Sequence, residues 1–335
     1  MVTLSIMEIY LRLTGLSLPS YVYDDKKLGR THNPNKEIFE VKAEGFCIDR
    51  VNKFGYIGSE YPNERKPETI RIALLGSSFV EGVQVFYRNR FSYVFESELS
   101  KKLNKKVEVL NFAIGGDDFR GMYLRYNDLV LKYNPDYTFF MVKPSDFSRK
   151  KSIPAPELTL HNNSLAINYD FLKSSESATR EKFSLLREYG VGNFLKEAYE
   201  VYYTGRLTGI ILDKLDFIKA KEERSTIQGD KYSHFEINKR VMDELLKENI
   251  HTQNQCIIVD MDGFQEKYQT YIDSMGLSYL DISKPLKKFT EPELMYWKAS
   301  RKMGHWNNFA NKKVGEILSE QFYEFLDKKI NYKQY

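Results

Sequence analysis

Short apolar runs, each closed by a glycine or a small polar residue, alternate along much of this chain with longer segments whose apolar positions return every three or four residues. The runs at 70–75, 106–112, 137–142, 255–261 and 278–282 have the length and continuity of buried strands. Between them, 90–103 carries an apolar stripe of Phe91, Val94, Phe95 and Leu99, and 119–133 repeats Phe119, Met122, Tyr123, Tyr126, Leu129, Val130 and Tyr133 at helical spacing. Pro135 ends the second of these. Further helices are expected at 232–249, 265–275 and 308–327. Strands alternating with helices predict an α/β domain whose mostly parallel, five-stranded sheet binds ligands beyond the carboxyl ends of its strands.

Two stretches break the alternation. Residues 19–69 are punctuated by Asn, Gly and Pro and read as a loop-rich lead-in with short strands, ending at the charged linker Asn63-Glu64-Arg65-Lys66-Pro67. Residues 148–230 open on Pro154-Ala155-Pro156 and a hairpin pattern, LTLHNNSLAINY, and continue with apolar helical stretches. They read as a cap inserted into a domain formed by 70–147 and 231–335. Tyr169, Phe171, Tyr199, Tyr202 and Tyr203 of this cap are candidates for stacking on a ligand in the cleft it covers or for its own core. Asn162-Asn163-Ser164 matches a glycosylation sequon and equally suits the hairpin's turn.

Residues 1–18 are apolar but carry Glu8 and Arg12, too short and too charged for a spanning helix and without the basic start of a signal peptide. Two readings stay open: an amphipathic helix packed on the domain, or the stub of a membrane anchor whose first part is missing.

The net charge of +4 is small and its basic runs are short, which argues against nucleic acid as a partner. Two cysteines, Cys47 and Cys256, make no disulfide framework, and the five histidines are scattered without metal-ligand spacing. No metal and no cofactor is implied.

Three loops carry candidate chemistry. Ser78 follows a strand and Gly76, where its hydroxyl could stand above the sheet as a nucleophile beside backbone N–H groups. Gly115-Gly116 follows the second strand and permits close backbone approach to a ligand. His305, after Gly304 and before the last helix, is displayed on a loop.

In their order these segments resemble the SGNH or GDSL hydrolase family. Gly76-Ser77-Ser78-Phe79 stands at the GDSF block, Gly116 at the second-block glycine, Lys143-Pro144-Ser145-Asp146 at the third block, and His305 at the last-block histidine. The segments MEIYLRLTG, LGRTHNP, NKFGYIGSEY and PELTLHNNSLAINYDF resemble the membrane-anchored bacterial subgroup linked to surface polysaccharides.

The resemblance implies a flavodoxin-like, three-layer α/β/α fold and ester hydrolysis or acyl transfer without a cofactor, on acyl groups, above all acetyl, of carbohydrate or polysaccharide. Ser78 would be the nucleophile and His305 the base, with Ser78, Gly116 and Ser145 around the oxyanion. The subgroup places the chain in a bacterial cell envelope, anchored to the membrane outside the cytoplasm; if Met1 is the true start, it would be cytoplasmic. Ser77, Ser145 and Met303 depart from the pattern. No carboxylate stands two or three residues before His305, so Asp281 and Asp146 become the candidate acids. A non-catalytic protein of the same fold that binds carbohydrate or assists its assembly is the rival reading.

Overall fold

In the computed structural model, residues 2–14, 19–42, 45–148, 155–174, 181, 188–192, 194, 195 and 234–332 are described. Five strands form one parallel sheet: β5 (Ile70–Leu75), β6 (Val107–Asn111), β7 (Tyr137–Val142), β10 (Gln255–Asp260) and β11 (Tyr279–Asp281). Their spatial order is β11-β10-β7-β5-β6. The chain winds from β5 out to β6, then returns across β5 to β7 and onward. This is the flavodoxin-like order, whose switch point lies between the first and third strands, here β5 and β7.

Alternation of side chains along buried strands divides the interior into two cores. Ala73, Leu75, Phe140, Val142 and Ile258 face α4 (Phe119–Asp128), α5 (His234–His251) and α6 (Glu266–Met275). Ile72, Leu74, Phe139, Met141 and Val259 face α3 (Phe91–Leu103) and α9 (Asn308–Tyr332), giving three layers. Gly315 lets α9 come close to α3, since a Cβ there would lie 2.6 Å from that of Val94.

The lead-in is more regular than its composition suggests. It forms two antiparallel hairpins, β1–β2 (Val22–Asp25, Gly29–His32) and β3–β4 (Glu37–Lys42, Gly45–Arg50). Ile38, Val51, Ile57 and Val83 close a small third core there. The hairpin expected in the inserted segment is β8–β9 (Glu157–His161, Ser164–Asn168). Its turn, Asn162-Asn163, has φ of 49° and 61°, the pair of left-handed residues that a tight two-residue hairpin needs. Leu158 anchors it in the core beside α4 and α5. Tyr199, Tyr202 and Tyr203 lie outside the described residues.

α1 (Val2–Thr14) touches the protein through Leu11, which is buried, and through Glu8, whose carboxylate accepts the N–H groups of Gly190 and Val191 at 3.0 and 2.8 Å. Among the described residues, no helix is long and apolar enough to cross a membrane.

Candidate active site

β5 ends in Leu75 and the chain turns within two residues into the single-turn helix α2 (Ser78–Glu81). Gly76 makes that turn possible, because a Cβ there would fall 2.3 Å from a methyl of Val80. The consequence is a half-buried Ser78 held at the carboxyl edge of the sheet, at its switch point.

The histidine arrives from the opposite end of the sequence. A short hairpin, β12–β13 (Tyr296–Trp297, Lys302–Met303), follows helix α8 (Glu291–Met295), and the loop after it is pinned. The Trp297 indole donates to the His305 carbonyl (2.9 Å), Gly304 N–H to Met295 O (3.0 Å) and Asn307 N–H to Leu294 O (2.9 Å). His305 Nε2 thereby sits 2.7 Å from Ser78 Oγ. For the hydroxyl to donate along this line, Nε2 must be the bare nitrogen and Nδ1 must carry the proton. The imidazole lies against Phe79, ring centroids 4.6 Å apart, and Lys143 Nζ sits 3.6 Å from the centroid of the same phenyl ring. Trp306 meets Phe79 edge-on.

Two backbone N–H groups stand at the serine without a protein acceptor among the described residues, those of Ser78 and Gly116. Gly116 is exposed, with φ of +88°, and a Cβ there would meet nothing within 4 Å. Gly115, by contrast, is tightly placed: its N–H donates to Glu81 Oε2 (2.9 Å), and a Cβ would come 3.0 Å from that oxygen and 3.6 Å from the Ser78 Cβ. The glycine pair therefore splits its duties, Gly115 bonding inward and Gly116 open to a ligand.

Ser145 lies beyond β7 in the single 3-10 turn Pro144–Phe147. It is exposed, and its hydroxyl makes no hydrogen bond among the described residues. Ser77, at the GDSF-block aspartate position, is buried with its hydroxyl unpartnered. Met303 is exposed, opposite Tyr296 in the hairpin.

Asp281 is not the acid that orients His305. Its Oδ1 accepts from Ser283 N–H, Ser283 Oγ and Lys284 N–H at 3.0, 2.6 and 3.2 Å, and Oδ2 faces Lys284 Nζ at 3.0 Å. A carboxylate so engaged is taken up by the first N–H groups of the helix that follows, α7 (Ser283–Leu286), whose N-cap is Ile282. Asp146 is fully buried and its Oδ2 accepts the Lys143 N–H at 2.9 Å, closing its own turn.

Beside the pair, a cleft of about 450 Å³ opens between the ends of β7 and β10 and helix α8. Phe79, Met261, Leu294 and Trp306 give it apolar walls, while Lys143, Asp262, Lys287 and Glu291 charge its rim. Burial pushes the Asp262 carboxyl up, against the pull of Lys143 and Lys287.

Sequence reasoning missed several of these residues. Glu81 and His32 form a buried pair, Oε1 to Nε2 at 3.0 Å, directly behind the serine turn. The clue was a lone acid in an otherwise apolar turn, Phe79-Val80-Glu81-Gly82, but nothing in periodicity links it to a histidine 49 positions earlier. Phe79, Lys143 and Trp297 gave no separate signal. Cys256 is an inert core residue, its thiol pushed up to about 12 by burial.

A parallel sheet in flavodoxin-like order, with a serine after its first strand hydrogen-bonded to a histidine before its last helix, is the arrangement that the resemblance to the SGNH/GDSL hydrolases implies. No family profile and no curated protein matches the chain. Among solved structures it is similar to a lipolytic protein of the G-D-S-L family from Desulfitobacterium hafniense, at 12% identity and a TM-score of 0.37, covering 75% of this chain and 98% of that one. It is also similar to a psychrotrophic esterase from Pseudoalteromonas, at 9% identity and 0.37, covering 77% and 98%. A third is an acetylxylan esterase from Geobacillus stearothermophilus, at 10% and 0.35, covering 80% and 95%.

Proposed function

We propose that this protein is a serine-dependent ester hydrolase or acyltransferase acting on acyl groups, acetyl foremost, of carbohydrate or polysaccharide. The observation that carries the reading is the 2.7 Å contact between Ser78 Oγ and His305 Nε2, beside the N–H groups of Ser78 and Gly116, which have no protein acceptor among the described residues. Ser78 Oγ attacks the ester carbonyl while His305 takes its proton, and the oxyanion is met by the N–H groups of Ser78 and Gly116. The imidazolium then protonates the departing sugar oxygen. Water, or a hydroxyl of a second sugar, attacks the acyl-serine with His305 as base and regenerates the enzyme. Ser145 contributes at most a weaker hydroxyl donor from the neighbouring strand end.

The cleft favours a sugar over a long acyl chain. Its apolar walls are bordered by Lys143, Asp262, Lys287 and Glu291, which suits a ring that offers a C–H face to Phe79 and hydroxyls to Lys143, Asp262 and Lys287. The inserted segment acts as a cap in this reading, and α1 lies at the membrane surface of a bacterial envelope protein.

The rival, a carbohydrate-binding protein without turnover, draws on the unpartnered Ser77 hydroxyl where the family has an acid. One experiment separates them: acetate release from a small acetyl ester and from an acetylated polysaccharide, with phosphonate labelling of Ser78 read by mass spectrometry. The enzyme reading expects labelling at Ser78 and a rate that falls at least about 10³-fold in Ser78→Ala. Wild type and Ser78→Ala sharing one background rate, with no label, would establish the binding protein instead.

A further inference from the structure

We infer that Glu81 is a positioning residue, which holds the Gly115–Gly116 turn against the serine so that the Gly116 N–H is presented to the substrate oxyanion. This rests on the ester-transfer reading above. A carboxylate taken out of water costs several kcal/mol unless its oxygens are met by donors, and Glu81 is 2% exposed. Both its oxygens are met. Oε1 lies 3.0 Å from His32 Nε2, and Oε2 accepts the Gly115 N–H at 2.9 Å.

The protonation states fit that geometry. Burial pushes the Glu81 carboxyl up, but the His32 hydrogen bond and the Arg30 charge outweigh it and hold the group ionised. Burial keeps His32 below its ordinary value, hence neutral, with its Nε2–H donating. The pair is an anion accepting from a neutral imidazole, not two opposite charges.

Its place decides what it does. Glu81 belongs to the same single helical turn as Ser78, so a bond from its carboxylate to Gly115 fixes the glycine turn relative to the nucleophile. The turn is closed on itself by Asp117 N–H to Ile114 O at 3.2 Å, a bond that does not reach the serine turn; its other ties toward the serine turn are farther from Gly116: Ile114 N–H to Gly76 O at 3.1 Å, and Asn111, which takes the Ala113 N–H and donates to Val80 O. With the Gly115 N–H consumed inward, the next N–H, that of the exposed Gly116, is left without a protein acceptor among the described residues. His32, from β2, braces the carboxylate from behind and so ties the lead-in hairpin to the active site.

The test compares Glu81→Ala with Glu81→Gln in the full chain, reading amide hydrogen exchange over 113–118 and the kinetics of 4-nitrophenyl acetate hydrolysis. Glu81→Ala should accelerate exchange at Gly115 and lower kcat about 10²-fold, the scale of one lost oxyanion donor, with KM within about twofold. Glu81→Gln can still accept from Gly115 and donate to the other tautomer of His32. It should therefore restore most of kcat and of the protection.

A folded Glu81→Ala with wild-type kcat or wild-type Gly115 exchange overturns the inference. If Glu81→Ala does not fold, Glu81→Gln decides: kcat falling to the level of Ser78→Ala overturns positioning in favour of a requirement for charge. If wild type neither hydrolyses the ester nor accepts phosphonate, the catalytic reading has failed separately, and the exchange comparison alone decides whether Glu81 holds the turn.

Discussion

His32 and Glu81 show how far a residue's chemistry depends on where the fold puts it. In the sequence, His32 is one of five scattered histidines; in the structure it is 3% exposed and kept neutral by burial. That has a consequence for acid stability. Unfolded, the imidazole takes a proton near its ordinary 6.5; folded, it resists to lower pH, so the unfolded chain binds more protons as pH falls and stability declines. Glu81 adds to the decline at lower pH, because its folded pKa lies below the ordinary 4.5 and its stabilising charge is lost as pH falls through it. Urea unfolding from pH 7 to pH 5 should show a falling midpoint. His32→Asn, less stable than wild type at pH 7, should show a flatter dependence, and an equal slope in both proteins would remove His32 as the cause.

Elements were legible where one physical requirement dominates. A strand buried on both faces is mostly apolar, so 70–75 and 137–142 could be bounded from the sequence alone, and a serine or glycine after such a run marks the sheet's carboxyl edge. The helix expected over 119–133 instead stops at Asp128 and continues as a 3-10 turn, Val130–Tyr133. Its apolar spacing did not change there; the break lies in Leu129, whose φ of −123° leaves the helical range, and the turn ends on Asn134 in left-handed conformation. The buried charges were illegible for the opposite reason, since nothing local announces a partner. Arg71, the second residue of β5, is fully buried and donates through Nε and an NH group to Glu108 Oε2 at 3.0 and 2.7 Å, and to the carbonyls of Asn63 and Tyr133. Removing one partner of such a pair leaves an uncompensated charge. Glu108→Leu should cost about 3–5 kcal/mol of unfolding free energy, whereas a double change to Arg71→Met with Glu108→Leu should recover part of it. Chemical denaturation of the three proteins checks this, and a cost under about 1 kcal/mol for the single change would show that the pair is screened by water.

At the scale of the whole molecule, the candidate site joins three remote parts of the chain: Ser78 just after the first sheet strand, His305 delivered by the last loop, and His32 from the lead-in. The N-terminal helix carries a run of uncovered apolar side chains. Leu4, Ile6, Ile9, Tyr10 and Leu13 of α1 are all more than half exposed, while Leu11 is buried and Glu8 ties the helix to the inserted segment. Thirteen residues span about 20 Å at 1.5 Å each, short of a hydrocarbon core of about 30 Å, so α1 as described can lie in an interface but not cross it. Its exposed apolar side chains therefore predict peripheral binding to lipid, sensitive to apolar area rather than to charge. In flotation with neutral phosphatidylcholine vesicles, the protein should rise with the lipid. A variant with Leu4, Ile9 and Leu13 changed to Ser should remain at the bottom, with ester hydrolysis unchanged, because none of the three touches the Ser78–His305 site. Wild type that fails to float would assign the exposed face of α1 to some role other than lipid contact.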